Sequence, residues 1–205
     1  MDTGTALALA ENRYPVRMRF KRFAISPQIT ATDAADNVVF HVKQKAFKLK
    51  EAVTVFADRE QTRPLFTINA DRVMDFGARY LMADATGRPL GQVQRQGVRS
   101  LWTAHYDITV NGGPTLSLRE ENPWVKVVDG LVGEIPVVGL FSGYFLNPTY
   151  LIKRADGTPV MRLKKEPALT EGRYSIHRLA PMDGGEETVA LLGILMMTLL
   201  ERNRG

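Results

Sequence analysis

The chain has no cysteine, and this absence excludes several kinds of chemistry. Disulfide bonds, thiolate zinc sites and cysteine nucleophiles all require a thiol. Histidine is scarce as well. The chain has three histidines, His41, His105 and His177, and each stands without a second histidine or an acid at a ligand spacing such as H-E-x-x-H. We therefore expect three ordinary strand histidines and no metal site.

Sequence motifs of nucleotide binding and of hydrolysis are also missing. The chain contains no P-loop, no G-x-G-x-x-G fingerprint and no G-x-S-x-G elbow. Its glycine-rich stretch, Asn111-Gly112-Gly113-Pro114, lies between two strand-like segments, where a hairpin turn explains it. Basic and aromatic residues are not interleaved as in RNA-binding sheets, which argues against a nucleic-acid partner. We expect a protein that is not an enzyme and needs no cofactor.

Export and membrane-spanning segments are not expected either. Residues 1–12 hold a short apolar stretch but no lysine or arginine, so they do not resemble a signal peptide. In the apolar region 125–146, Glu134 and Pro136 argue against a transmembrane helix, which needs roughly 20 mostly apolar residues. We predict that residues 1–12 are a flexible lead-in to a cytoplasmic protein without a transmembrane segment.

One phrase occurs three times in the chain. The copies are residues 80–96, residues 150–166 and a weaker one from Ile29 to Lys43. Each copy is a short alternating segment, a tight turn at Gly87, Gly157 or Asn37, and a second alternating segment that ends in basic residues. This pattern predicts a β-hairpin. Since one hairpin cannot bury its apolar face alone, the copies must stack together.

Further strand-like segments lie before and between the copies. They are residues 13–23, 53–56, 65–68, 102–110 and 115–119. A new segment arrives about every 8–12 residues, which suggests a β-sandwich or a β-barrel. A chain of 205 residues fits one such domain, which we place at residues 13–205.

The last apolar segment has a helical signature. Asp183 offers a cap, and Glu186 and Glu187 suit the first turn. Residues 189–200 are apolar on every face, so a helix over about 186–202 must be surrounded by protein or by lipid. About thirteen residues rise about 20 Å, which matches a strand of six to eight residues better than a bilayer core of roughly 30 Å. We predict a helix at the centre of a barrel, with a membrane tail anchor as the alternative.

Together these features resemble the LURP-one-related proteins of the tubby C-terminal-like superfamily, which includes the phospholipid scramblases. The resemblance spans roughly residues 13–203 and rests on the hairpin phrase, the basic tail 162–165, the segment 171–176 and the terminal helix. It implies a mainly β fold, a closed antiparallel barrel of about twelve strands around a buried hydrophobic C-terminal helix. Tubby proteins bind phosphoinositides through basic residues, and scramblases act at membranes. The cysteine-rich and proline-rich segments of the scramblases are missing here.

A basic face is the feature with the clearest functional meaning. Residues 13–50 carry nine basic residues against two acids, within a net charge of +5 for the chain. If the strand at 13–23 and the strand at 38–44 are neighbours, their outer surface carries the candidate anion-binding residues. These are Arg17, Arg19, Lys21, Lys43 and Lys45. Near an anionic leaflet each contributes about 1 kcal/mol. The alternative is a plain solvated face, because outward barrel positions must be polar.

The apolar segment 131–146 allows two interpretations. It is either a buried strand with an apolar loop, or a surface loop that contacts a membrane or a partner through Phe141 and Tyr144. The whole sequence indicates a non-enzymatic binding or scaffold module, with peripheral binding to anionic phospholipid head groups at the membrane surface as the suggested role. A scramblase-like lipid-handling protein and a protein-partner adaptor without a lipid role are the alternatives.

Overall fold

The structure is a computed structural model, and twelve strands and one long helix account for most of the residues it describes. These residues are 7, 9–21, 28–43, 52–72, 77–96, 105–121, 148–168 and 171–202, with the backbone alone for Lys21 and Arg202. After a 3₁₀ turn at Glu11–Arg13, the strands are β1 Val16–Lys21, β2 Gln28–Thr32, β3 Val38–Lys43, β4 Val53–Phe56, β5 Pro64–Ala70, β6 Arg79–Asp84, β7 Pro89–Arg95, β8 His105–Val110, β9 Thr115–Glu120, β10 Thr149–Arg154, β11 Pro159–Glu166 and β12 Glu171–Arg178. The helix α1 is Gly184–Arg202.

The strands form a closed antiparallel barrel. Each strand pairs with its neighbour in the chain, and β1 closes the circle on β12, with Val16 opposite Ile176 and Lys21 opposite Glu171. Closure removes the two exposed edges that an open sheet of this size would present to other chains. The prediction of a closed barrel of about twelve strands is confirmed.

The barrel interior is filled by α1. Alternate strand residues point inward, as in β8, where Tyr106, Ile108 and Val110 are buried and their neighbours are half-buried. The five helix residues expected to be inaccessible, Leu191, Leu192, Ile194, Leu195 and Leu199, are at most 2% exposed. The prediction of a buried central helix is therefore confirmed.

Gly193 explains how closely the helix approaches the barrel wall. A Cβ at this position would lie 2.5 Å from Cδ1 of Ile108 on β8. A larger residue would require the Ile108 side chain to move or the helix to shift, and glycine avoids this although it lowers helix stability by about 1 kcal/mol relative to alanine. The sequence-based expectation of a helix backbone packed close to a strand is confirmed.

The repeated phrases form equivalent hairpins. In the second and third copies, the N–H groups of Gly87 and Gly157 donate to the carbonyls of Asp84 and Arg154 at 3.0 and 2.9 Å. Both glycines have positive φ, at 87° and 88°. In the first copy the turn lies at Asn37 as expected, and the residue with positive φ is its neighbour Asp36, at 63°. Aspartate tolerates this conformation better than most residues, so the hairpin keeps its geometry without glycine.

The connections at one end of the barrel are short turns. Short turns at 33–37, 57–63, 85–88, 111–114, 155–158 and 179–183 join strands, or β12 and α1, at one end, which we call the turn end. At the opposite end, β3, β7 and β9 end at Lys43, Arg95 and Glu120. Lys45, Phe141, Tyr144 and the apolar segment 131–146 lie outside the described residues.

Two residues ahead of β1, Leu7 and Leu9, are buried, and Leu9 contacts α1 at the turn end. Leu7 and Leu9 are 1% and 4% exposed and join the hydrophobic core. The backbone N–H of Leu9 donates to Oε2 of Glu187 at 3.0 Å. The sequence-based expectation of a flexible lead-in over residues 1–12 does not anticipate these contacts, because two leucines in an alanine-rich stretch give a weak signal.

Candidate functional site: a basic groove on the barrel wall

The candidate site lies on the outer face of the first three strands. Arg19 on β1 is opposite Thr30 on β2, and Thr30 is opposite His41 on β3, so the three residues form one row across the wall. Their chain neighbours Phe20, Ile29 and Val42 are buried. Since side chains alternate along a strand, burial of these neighbours leaves the row on the outer face.

The turn between β4 and β5 forms the far side of the site. Asp58 organises this turn, because its carboxylate accepts hydrogen bonds from the backbone N–H groups of Thr62 and Arg63 at 2.9 and 3.0 Å. The turn brings Arg59 and Gln61 beside β3. His41 consequently lies in an outward row but is only 4% exposed.

Together these elements enclose a groove of ≈ 370 Å³. We call it the outer-wall groove and define it by Arg19, Thr30, His41, Lys43, Arg59 and Glu171, which all line it. Three of the six are cations, from β1, β3 and the β4–β5 turn. Glu171 is the one acid in the described lining, and Nε of Arg173 contacts its carboxylate at 2.5 Å. The groove therefore presents a net positive surface.

The cations of the groove differ from Arg17, which lies on the same outer face. Arg17 contacts Oδ1 of Asp36 at 3.5 Å. Among the described residues, Arg19, Lys43 and Arg59 make no ion pair. Their charges are therefore available to an anion from solution, with screening over about 8 Å at physiological ionic strength.

The structure brings together two of the five basic residues singled out from the sequence. Arg19 and Lys43 line the outer-wall groove. The sequence argument assumed that β1 and β3 are neighbours, but β2 lies between them. Arg19 and Lys43 nevertheless line the same groove. Arg17 is engaged with Asp36, the side chain of Lys21 is not described, and Lys45 lies outside the described residues.

His41 has an unusual environment for a residue of an outer row. Its Nδ1 lies 2.9 Å from the hydroxyl oxygen of Thr30. Burial lowers the pKa of His41, the positive charges of Arg59 and Lys43 lower it further, and the acids Asp58 and Glu60 oppose this effect. The ring is therefore held in its neutral form more strongly than an exposed histidine.

Sequence reasoning missed Arg59, Gln61 and the role of His41. The segment at 57–63 is recognisable as a turn between two strands, but nothing local shows that it folds over the outer face of β3. In the sequence alone, His41 has the pattern of an ordinary strand residue. The available signal was a histidine followed two residues later by Lys43, which places both on one face of a strand.

Other types of site find little support in the part of the chain that the structure describes. There, no cluster of three or more histidines, aspartates and glutamates is arranged to hold a metal ion. Within the same ranges, no helix combines the length and the apolar character that a membrane crossing requires.

Comparisons with known proteins give a match to a family model and a similar structure. Residues 38–130 match the model of the LURP-one-related family. An X-ray structure of a protein from Arabidopsis thaliana is similar, at 14% sequence identity, 93% coverage of both chains and a TM-score of 0.47. No curated protein matches the chain. The matched residues span β3 to β9 and include Lys43 and Arg59 of the groove, and the match agrees with the resemblance noted from the sequence.

Proposed function

We propose that the protein is a non-enzymatic binding module that docks on anionic lipid head groups through the outer-wall groove. The observation that carries this proposal is the convergence of Arg19, Lys43 and Arg59 from three separate elements on one concavity. Among the described residues none of the three is neutralised by an ion pair. A volume of ≈ 370 Å³ falls within the usual range of small-ligand sites, about 300–1,000 Å³.

The residue types in the groove suit binding rather than catalysis. Beside the three cations, Thr30, Gln28 and Gln61 offer hydroxyl and amide groups that can donate to anion oxygens. The barrel interior, where enzymes of this architecture could place a buried pocket, is filled by the apolar side chains of α1. A positive groove on a convex wall can meet a membrane surface, where each basic residue contributes about 1 kcal/mol of attraction.

Vesicle co-sedimentation tests the proposal. The wild-type protein is compared on vesicles of phosphatidylcholine alone and on vesicles that also contain phosphatidylserine or a phosphoinositide, at low and at physiological salt. We expect binding only to the anionic vesicles, and weaker binding as salt rises, because exposed charges are screened. The double variant R19E/K43E should lose most of this binding.

The matched control is the double variant R119E/K153E. It makes the same change in net charge on β9 and β10, and both residues are exposed there. A groove-specific site predicts that this control keeps wild-type binding. Equal loss in both variants would instead indicate a general effect of net charge. Wild-type protein that ignores anionic vesicles at low salt would overturn the proposal and favour a protein-partner adaptor.

A further inference from the structure

Among the described residues of the outer-wall groove, one group can titrate near neutral pH. His41 lines the groove, and among the described residues its Nε2 has no hydrogen-bond partner, while its Nδ1 is 2.9 Å from the Thr30 hydroxyl oxygen. When that hydroxyl donates to Nδ1, the neutral ring carries its proton on Nε2. When the ring is charged, both nitrogens carry protons and the hydroxyl accepts from Nδ1. The Thr30 contact is thus compatible with both states.

Charged groups surround His41 on several elements. The cations are Arg19 on β1, Lys43 on its own strand and Arg59 on the β4–β5 turn, and the acids are Asp58 and Glu60 on that turn and Glu171 on β12. Burial and the cations together favour the neutral ring while the groove is empty. A doubly negative ion among the same cations would reverse the local potential and favour the charged ring.

A phosphomonoester matches this arrangement better than a carboxylate does. A phosphomonoester offers three acceptor oxygens and a charge of about −1.5 to −2 at neutral pH. The groove offers donors from β1, β3 and the β4–β5 turn, so the oxygens can be contacted from several directions at once. A carboxylate has two oxygens in one plane and a single charge, and would leave part of the donor set unpaired.

This inference rests on the proposed function: we propose that the outer-wall groove binds a single phosphomonoester group beside Nε2 of His41, and that binding tightens when the ring takes up a second proton. Affinity and protonation are linked reciprocally. If the bound anion raises the pKa of His41 by one unit, the fully protonated protein binds that anion about tenfold more tightly than the neutral one. The groove would then hold its ligand more strongly under acidic conditions.

Sulfate is the probe for the proton linkage, because it remains a dianion over the whole range in which histidine titrates. The His41 ring is titrated by NMR in wild-type protein with and without sulfate, and sulfate affinity is measured by calorimetry at about pH 5 and about pH 8. We expect sulfate to raise the pKa of His41 and to bind up to about tenfold more tightly at the lower pH. The H41Q variant keeps an N–H donor but cannot titrate, so its sulfate affinity should lose this pH dependence.

The matched control is H177Q, which alters an exposed histidine on β12 outside the groove lining. It should keep the wild-type pH dependence. If H41Q proves unstable, the NMR titration of wild-type protein still decides the question. A His41 pKa that does not move with sulfate, or equal sulfate affinity at both pH values, would overturn the proposal.

Two further experiments distinguish a soluble phosphate ester from a lipid head group as the ligand. They also distinguish failure of this inference from failure of the proposed function. Glycerol 3-phosphate tests a soluble ester, and vesicles with phosphatidic acid are compared with phosphatidylglycerol vesicles of matched surface charge. A preference for phosphatidic acid supports the inference with a lipid source. Binding of glycerol 3-phosphate without any vesicle binding keeps the phosphate site but refutes the membrane role. Equal binding to both vesicle types, without a sulfate effect on His41, keeps the membrane role and refutes the phosphate site.

Discussion

Two groups of charged residues in this barrel are arranged in opposite ways. At the turn end, Tyr14, Arg154, Arg178, Glu186 and Glu187 form what we call the charged seal. Arg154 binds Glu186 through Nε and Nη2 at 2.7 Å each, and Tyr14 donates to Glu187 at 2.5 Å. In the outer-wall groove, Arg19, Lys43 and Arg59 have no such partner among the described residues.

The difference lies in what each group stabilises. Glu186 and Glu187 are 2% and 1% exposed, so their charges are tolerable only with partners that replace water. Those partners come from the chain start, from the β10–β11 hairpin and from β12, and they tie all three to the first turn of α1. The groove cations keep their hydration and contribute little to stability, which leaves them free to bind a ligand.

The third hairpin differs from the other two at the position that contributes to the charged seal. In the first two copies the residue before the turn is an aspartate, Asp33 or Asp84, which accepts hydrogen bonds from its own turn. In the third copy the equivalent residue is Arg154, which reaches out to Glu186 and to the carbonyl of Pro181 at 2.8 Å. The same backbone position therefore serves a local turn in two hairpins and a long-range contact in the third.

The largest effect is expected from breaking the seal. The substitution R154A leaves the buried Glu186 carboxylate without its two-bonded partner, and removal of one member of a buried ion pair costs about 3–5 kcal/mol. Urea unfolding followed by circular dichroism measures this loss. The double variant R154L/E186Q removes both charges and should recover a large part of the stability. If R154A unfolds at the wild-type urea concentration, the seal does not stabilise the protein.

A substitution of an uncharged core residue gives a reference for the loss of stability expected in the charged seal. Leu195 is 0% exposed at the centre of α1, and truncation of a buried leucine to alanine costs about 2–5 kcal/mol. We expect L195A to lower the free energy of unfolding by an amount in this range, with cooperative unfolding retained. A loss below about 1 kcal/mol would mean that the helix is packed more loosely than its burial indicates.

Strong acid should weaken the turn end through Asp33. Burial opposes ionisation of Asp33, but hydrogen bonds from Arg13, Asn37 and Ala35 outweigh it and lower its pKa from 3.8 to about 2. A lowered folded-state pKa means that the contribution is fully present above pH 3.8 and is lost as the pH falls from there to about 2. The D33N variant should therefore show a flatter dependence of melting temperature on pH in this window. An identical slope in wild type and D33N would contradict the assignment.

Local patterns predict most of the barrel but only part of the site. Alternation, the repeated turns and the all-apolar helix each arise from residues close together in the chain, so hairpins and the buried Leu195 follow from the sequence. The groove depends on a turn at 57–63 that folds over β3, and the seal depends on contacts such as Leu9 with Glu187, 178 residues apart. Such contacts are set by the closed barrel as a whole and leave no local signal.

The smallest expected change in the free energy of unfolding comes from a substitution in the groove. Whether this change is a gain or a loss shows whether the groove cations repel one another. Because Arg19, Lys43 and Arg59 share one concavity without an ion pair among the described residues, they repel one another. Replacing Arg59 with glutamine removes one of these charges while keeping a polar side chain on an exposed turn. We expect R59Q to leave the free energy of unfolding unchanged or to raise it by up to about 0.5 kcal/mol, in contrast to the loss caused by R154A. Any gain should fade at high salt, where the repulsion is screened in the wild type as well. Thermal unfolding of R59Q and R154A across a salt series measures this difference in stability. A loss of more than about 1 kcal/mol in R59Q would show that Arg59 supports the fold instead of serving the groove.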